Sequence, residues 1–115
     1  MQPLRPQSPY WSHWTTDDFA QRRADGTIQH TIAVLPVAAI EQHGPHLPVC
    51  VDTAIGEAVI TAALPHLKRL GDVPALFLPM QAIGFSPEHT AFAGTLSLKA
   101  ETVLRLWMDI GESVA

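Results

Sequence analysis

The feature that most constrains the fold is a pair of short, continuously apolar runs, each of which leads into a polar loop. Residues 31–37 have the sequence TIAVLPV, and residues 73–80 have the sequence VPALFLPM. Apolar residues that do not alternate with polar ones indicate strands buried on both faces, as in a parallel sheet. A proline near the end of each run marks where the strand stops or bulges. The pair therefore predicts an α/β protein with a mainly parallel sheet.

A short helix is expected before the first strand. Thr15, Asp17 and Asp18 predict its start, because threonine caps helices and acidic side chains stabilise a helix N-terminus. The turn dipeptide at residues 25–26 predicts its end. Residues 1–9 contain three prolines and are expected to form an irregular leader to a single, partial α/β domain over residues 1–115.

Two further helices are expected after the strands. The first should span residues 54–70 and be kinked or broken at Pro65. Helical spacing predicts its apolar stripe, formed by Ile55, Ala58, Val59, Ala62 and Ala63. The last should begin near Lys99 and have an apolar face formed by Val103, Leu104, Trp107 and Met108. With a right-handed crossover between the strands, both polar loops follow carboxyl ends of strands, where open α/β sheets place their sites.

Composition narrows the class of function. A hydrophobic content of 47% suits a globular core, and a net charge of -4 offers no basic surface for nucleic acid. The apolar runs are far shorter than the roughly 20 residues of a membrane helix, and the polar N-terminus is unlike a signal peptide. The single cysteine excludes an intramolecular disulfide and favours a cytoplasmic location. A nucleotide-binding module is disfavoured, since no glycine-rich phosphate loop is present.

The loop after the first run is rich in metal-ligand side chains. Glu41, His43 and His46 lie close together, and Asp52 follows at the predicted start of the next helix. In extended backbone Glu41 and His43 point to the same side, roughly 7 Å apart at Cα, so both could reach one ion or a pair of ions. Oxygen and imidazole donors without thiolates suit zinc or manganese. Taken singly, Asp52 is better explained as a helix N-cap, and each histidine as a surface residue; only their joint occurrence after a buried strand favours a metal site.

Two segments resemble the signatures of the creatininase (creatinine amidohydrolase) family. Residues 35–48, LPVAAIEQHGPHLP, followed by Asp52, are similar to the first signature. Residues 84–98, GFSPEHTAFAGTLSL, are similar to the second, in the same order along the chain. Cys50 and Ala93 depart from the family pattern without removing a ligand, and Cys50 is expected to be an inert small residue rather than a soft ligand.

This resemblance implies a three-layer creatininase-like fold with two divalent ions, zinc or manganese, at its active site. The implied activity is hydrolysis of amide or lactam C–N bonds by a metal-activated water. It implies that Glu41 binds one metal, His43 binds the other and Asp52 bridges both. Ser86 matches a substrate-binding position, and His89 is a candidate for catalytic proton transfer. Family members form homo-oligomers, commonly hexamers. They include creatininase, formamide deformylases and a peptide-processing protease. The implied substrate is a creatinine-like or formamide-like small amide or lactam.

The family's later ligand segment, of Asn-Gly-His type, has no counterpart in these residues. The chain is therefore expected to correspond to the N-terminal portion of the fold, truncated after the second main strand and the following helix. Three ligands shared by two cations leave each ion under-coordinated, and an incomplete sheet exposes an edge. Two hypotheses remain: a metal-dependent amidohydrolase, or a truncated or split, catalytically inactive α/β remnant that acts as an oligomerisation or regulatory piece.

Overall fold

The two apolar runs form the two strands of a parallel sheet in the computed structural model, which describes residues 8–115. The elements in chain order are α1 (Thr16–Ala24), β1 (Ile32–Val34), α2 (Val51–Arg69), β2 (Ala75–Phe77) and α3 (Ala100–Val114), with short 3-10 turns at Trp11–His13, Thr27–His30 and Pro87–His89. The predicted α/β class and the parallel pairing are confirmed. Of the predicted leader, residues 1–7 lie outside the described residues.

The chain divides into two compact units, each of which contains two separate stretches of sequence. The described part of the first unit runs from residue 8 to Leu35 and from Ala62 to Pro79. The second unit comprises Pro36–Thr61 and Met80–Ala115. That both belong to one domain stays a prediction. Among residues 8–115, no helix is long and apolar enough to span a membrane.

The sheet of the first unit has its core on β2. Leu76 and Phe77 are buried, as is Leu78 just beyond the strand. The opposite edge of β2 is also paired, since the Phe77 N–H donates to the Pro9 carbonyl at 2.8 Å. In the described part of the chain β1 has only β2 as a strand neighbour, and Ile32 is 53% exposed. The predicted burial on both faces is therefore right for β2 and wrong for β1.

Helix α1 begins as its sequence predicts. Thr15 is the N-cap, and its side chain accepts a hydrogen bond from the Asp18 N–H at 3.1 Å. The Asp18 carboxylate in turn accepts the Thr15 N–H at 2.9 Å, which completes a capping box. Asp25 is the C-cap and Gly26 adopts a left-handed φ of 79°, which a residue without a Cβ tolerates best.

Helix α2 differs from its prediction at its start, and it is not broken at Pro65; a kink there stays a prediction. It begins at Val51, so Asp52 lies inside the first turn and is not the N-cap. It also continues through Pro65. One missing N–H does not end this helix, because the following turn keeps its bonding: the Leu70 N–H donates to the His66 carbonyl at 3.0 Å.

The predicted apolar faces of α2 and α3 are largely solvent-exposed. On α2, the side chains of Ile55 and Val59 are exposed, whereas Ile60 and Leu64 on another face are half-buried. On α3, only Val103 of the predicted face is buried, and the exposed remainder consists of Leu104, Trp107 and Met108. Helical periodicity finds apolar stripes, but it does not determine which stripe packs when a helix has two.

Candidate metal centre

The candidate ligand segment is held in place by backbone pairing with a distant part of the second unit. Ile40 pairs antiparallel with Leu96, and the Leu96 N–H donates to the Ile40 carbonyl at 2.8 Å. Two residues further on, the Gln42 N–H donates to Thr95 Oγ1 at 3.1 Å. These bonds determine the backbone course of residues 40–42, from which Glu41 and then His43 project.

A second pairing lies next to the first. The Ala38 N–H donates to the Gln81 carbonyl at 2.9 Å, and the Leu98 N–H donates to the Gly84 carbonyl at 2.8 Å. Gly84 is required at this crossing, because a Cβ built there would lie 2.6 Å from the Ala38 carbonyl oxygen. The bond between Leu96 and Ile40 joins the two segments that resemble family signatures directly through their backbones.

The structure brings the three predicted metal ligands together. One donor atom from each of Glu41, His43 and Asp52 lies within 4.8 Å of the other two, and all three residues are half-buried. His43 Nε2 is 3.4 Å from Asp52 Oδ1. Asp52 reaches the cluster from the first turn of α2, where the helix dipole favours its negative charge.

The hydrogen bonding of His43 suits a metal ligand. Its Nδ1 lies 3.0 Å from the Glu41 carbonyl oxygen, which can only accept, so Nδ1 holds the proton. In the neutral ring the Nε2 lone pair is then free and faces Asp52. Metal-binding histidines usually donate their second ring N–H to a carbonyl or carboxylate in this way. These donors therefore fit a divalent cation.

The same environment acts on the proton affinity of His43. The hydrogen bond to the Glu41 carbonyl, aided by the nearby carboxylates of Asp52 and Glu41, raises the pKa of His43 above its ordinary value, against the opposing effect of burial. Two carboxylates and a carbonyl that favour a proton on His43 also favour a cation. The cluster is therefore a site of concentrated negative potential.

A second group of possible ligands shares Glu41. Donor atoms of Glu41, Glu88 and His89 also lie within 4.8 Å of one another. His89 Nε2 is 3.8 Å from Glu41 Oε2 and 3.7 Å from Glu88 Oε1, and the Glu88 side chain is 64% exposed. His89 therefore adjoins the predicted centre, and its role in proton transfer stays a prediction.

Ser86, the predicted substrate-binding residue, is fully buried. The residue is 0% exposed, and its N–H donates to Ser97 Oγ at 2.8 Å. Its own hydroxyl has no hydrogen-bond partner among the described residues. A substrate contact by Ser86 requires this hydroxyl to become accessible, so that role also stays a prediction. His46 and the exposed Cys50 belong to neither group of possible ligands among the described residues.

Sequence reasoning missed the residues that support the centre. Gln42 and Thr95 are not typical metal ligands. They matter because Gln42 bonds Thr95, 53 residues away, and His89, 47 residues away. The only available signal was that both lie inside the two signature-like segments. Glu88 was missed because a single exposed glutamate is ordinary on a protein surface.

Comparison with known proteins defines the class. The family model for creatininase, described as creatinine amidohydrolase, matches residues 12–115. The chain belongs to the creatininase family. Among curated relatives, the mycofactocin precursor peptide peptidase of Mycobacterium tuberculosis strain H37Rv is 40% identical over 87 residues, which cover 71% of this chain and 34% of the relative. The Mycobacterium ulcerans enzyme of the same name is 41% identical over 85 residues.

Solved structures give the same result. A manganese form of creatininase superimposes with a TM-score of 0.70 at 30% sequence identity, covering 90% of this chain and 39% of its own. A creatininase variant of Zn-Zn type superimposes with a TM-score of 0.68 at 30% identity. The chain therefore spans little more than a third of the length of the relatives that it matches. The predicted creatininase-like fold is confirmed over that part.

Proposed function

We propose that this protein is a metal-dependent hydrolase that cleaves amide-type C–N bonds, with Glu41, His43 and Asp52 holding divalent cations. The observation that supports this most strongly is the convergence of the three donor atoms within 4.8 Å, with the His43 Nε2 lone pair left free. The relatives support it too, since one bears the name of a peptidase and others that of creatininase in zinc and manganese forms.

Each side chain would have a distinct part in holding the cations. Glu41 and Asp52 would supply negative charge, and the family resemblance assigns Asp52 to both ions; its Oδ1 lies 3.4 Å from His43 Nε2. The Glu41 carbonyl keeps the His43 ring oriented through its 3.0 Å bond to Nδ1. When bound, zinc or manganese supplies Lewis acidity that polarises a carbonyl and activates water. Ser86 would orient the substrate once its hydroxyl is accessible.

The proposed substrate is a small molecule or peptide with a hydrolysable amide bond. The relatives named as peptidases are 40% identical to this chain over 87 residues, whereas the creatininase structures are 30% identical. This difference favours a peptide bond over the lactam of creatinine. A cytoplasmic location remains part of the proposal, because one exposed free cysteine is compatible with reducing conditions.

Metal titration tests the proposal directly. Calorimetry with Zn²⁺ and Mn²⁺ should show binding to the purified protein, and Glu41→Gln or Asp52→Asn should abolish it, since each removes a charged ligand. Glu57→Gln is the matched control, because Glu57 is an exposed carboxylate on the same helix as Asp52 and lies outside the ligand groups. Wild-type affinity in Asp52→Asn would overturn the proposal. Hydrolysis of a peptide, creatinine and small formamides should be lost in the same variants.

A second candidate function is supported by the exposed helix faces. Ile55 and Val59 on α2, and Leu104 and Met108 on α3, leave large apolar side chains in contact with water. Such surfaces usually mark sites of association. On this candidate the chain is an inactive piece that serves oligomerisation or regulation. Light scattering of Leu104→Glu/Met108→Glu should then show loss of self-association, while a monomeric wild type without metal binding would exclude both functions.

A further inference from the structure

We infer that His89 is a positioning residue for Glu41, which presents an Nε2–H group to the Glu41 carboxylate and binds no metal itself. The inference deepens the proposed function, since it rests on Glu41 being a metal ligand. It also assigns to His89 a role other than proton transfer to a leaving group. Two hydrogen bonds and one close polar approach within the second unit lead to it.

The first step concerns the side-chain amide of Gln42. The Gly44 N–H donates to Gln42 Oε1 at 2.9 Å. A backbone N–H can only donate, so the atom that faces it must be the amide oxygen. The orientation of the Gln42 amide is therefore determined, and its Nε2 points to the other partner.

The second step concerns the ring of His89. Gln42 Nε2 lies 2.8 Å from His89 Nδ1. An amide NH₂ group can only donate, so His89 Nδ1 accepts with its lone pair. A neutral imidazole with a lone pair on Nδ1 has its proton on Nε2. His89 is therefore in the opposite tautomer to His43, whose Nδ1 donates to a carbonyl.

The third step concerns the direction of the Nε2–H group. Nε2 is 3.8 Å from Glu41 Oε2 and 3.7 Å from Glu88 Oε1, and of these two carboxylates Glu41, at 17% exposure, is screened far less by water than Glu88, at 64%. The separation from Glu41 is longer than a direct hydrogen bond, but the positive end of the N–H dipole lies beside the carboxylate in a poorly solvated place. Polar contacts in metal-free or substrate-free sites are often long and tighten on loading. An Nε2 that holds a proton has no lone pair for a cation.

The backbone around His89 keeps the ring in this position. The His89 N–H donates to the Ser86 carbonyl at 3.1 Å, and the Phe92 N–H donates to the His89 carbonyl at 3.1 Å. The Phe92 ring packs near the imidazole, with 6.3 Å between ring centroids. Gln42 and His89 thus orient the carboxylate that neighbours Gln42 in the chain, and the group of Glu41, Glu88 and His89 does not form a second cation site through His89.

The tautomers of His89 and His43 can be measured in the metal-free protein, so this test needs neither bound metal nor an activity assay. Long-range ¹H–¹⁵N correlation spectra of the metal-free protein, at a pH where both rings are neutral, should show His89 as the Nε2–H form and His43 as the Nδ1–H form. Gln42→Met, which keeps the length of the side chain but donates nothing, should convert His89 to a tautomeric mixture. An Nδ1–H form of His89 in the wild type would overturn the inference.

Zn²⁺ affinity provides the second test through two isosteric replacements. His89→Gln keeps an N–H donor near the Nε2 position, and His89→Asn keeps a polar group only near Nδ1. We expect His89→Gln to keep wild-type affinity and His89→Asn to lose about 10- to 100-fold, as for other groups that orient metal ligands. Glu88→Gln should change nothing. Equal loss in both His89 variants, or a large loss in Glu88→Gln, contradicts the inference.

The outcomes separate this inference from the proposed function. If the wild-type protein takes up no Zn²⁺, the proposed hydrolase function fails, whereas the His89 tautomer still decides whether an N–H group faces Glu41. If Zn²⁺ binds and His89 is the Nδ1–H form, only the inference fails. If circular dichroism shows that His89→Asn is unfolded, the tautomer spectra of the wild type and of Gln42→Met still test the inference.

Discussion

The start of α1 and the candidate ligand segment are both rich in polar side chains, but they satisfy them in opposite ways. Around α1, Thr15 and Asp18 bond each other across three residues, and Asp25 accepts from Thr27 across two. In the ligand segment, Gln42 depends on Thr95 and His89, which are 53 and 47 residues away. The bonds around α1 use the side-chain oxygens themselves, whereas the distant bonds of Gln42 support the ligand segment and leave donor atoms of Glu41 and His43 available.

This difference separates two kinds of perturbation. Changes to the distant support of the ligand segment should reduce both stability and metal affinity. Changes at α1 should reduce stability alone, because the capping bonds of Thr15 and Asp25 join residues at most three positions apart. The substitutions below test that separation, in order of decreasing expected effect.

The largest effect is expected from Gly84→Ala. The added Cβ would meet the Ala38 carbonyl oxygen at 2.6 Å, and a backbone atom cannot rotate away. We expect a loss of about 2–3 kcal/mol in the free energy of unfolding, typical of overpacking a tight contact, together with weaker Zn²⁺ binding. Urea denaturation and calorimetry measure the two quantities.

Gly111→Ala is the matched control for this substitution. Gly111 lies inside α3 with open space around its Cα, so the same added methyl group meets nothing. It should raise the free energy of unfolding by about 0.5–1 kcal/mol, because alanine favours the helix over glycine. A neutral Gly84→Ala would show that the backbone crossing at Ala38 is not tight.

A smaller effect is expected from Thr95→Val, which keeps the shape of the side chain and removes the acceptor of the Gln42 N–H. Leaving this half-buried donor unpaired should cost about 1–2 kcal/mol and weaken Zn²⁺ binding. Thr90→Val is the control, since the exposed Thr90 hydroxyl donates to the nearby Pro87 carbonyl. Equal metal affinity in Thr95→Val and the wild type would show that Thr95 does not support the ligand segment.

Thr15→Ala should affect stability only. It removes the side-chain half of the capping box at α1, which accepts the Asp18 N–H at 3.1 Å. The expected loss is about 1 kcal/mol in the free energy of unfolding, with unchanged Zn²⁺ affinity. A drop in metal affinity would break the separation between local and distant bonding.

The smallest effect is expected at Asp25 and depends on pH. Hydrogen bonds from the Thr27 hydroxyl and N–H, with a contribution from Arg22, lower the pKa of Asp25 below its ordinary 3.8. A lowered pKa in the folded state stabilises the protein above the unfolded value, and this stabilisation is lost as the pH falls through the folded pKa. The difference in unfolding free energy between wild type and Asp25→Asn should therefore shrink below pH 3.8. A difference that is independent of pH contradicts this assignment.

The local elements of the fold were predictable because their signals and their bonds lie close together in the chain. The cap at Thr15, the turn at Gly26 and the start of α3 after Lys99 all agree with the structure. The grouping of Glu41, His43 and Asp52 was also predictable, since the ligands lie within twelve residues at the end of an apolar run. The family signatures led to the same three residues.

The wrong predictions concern burial, which depends on how the elements pack against one another. Helix α2 is not broken at Pro65, and the apolar stripe containing Ile55 and Val59 is exposed although its spacing predicts burial. The edge position of β1 leaves Ile32 in contact with water. Periodicity describes one element at a time, whereas burial depends on which neighbours are present to cover each face.

The sequence by itself determined the α/β class, the local caps and the identity of three candidate ligands, because those follow from residue type and short spacing. Only the tertiary structure decided how the ligands are presented. The tautomers of His43 and His89 depend on which atoms face Glu41 and Gln42, and the second of these contacts joins positions 47 residues apart. In the proposed roles, two histidines of identical chemistry act in opposite ways: His43 would offer a lone pair to a cation, and His89 an N–H group to the Glu41 carboxylate.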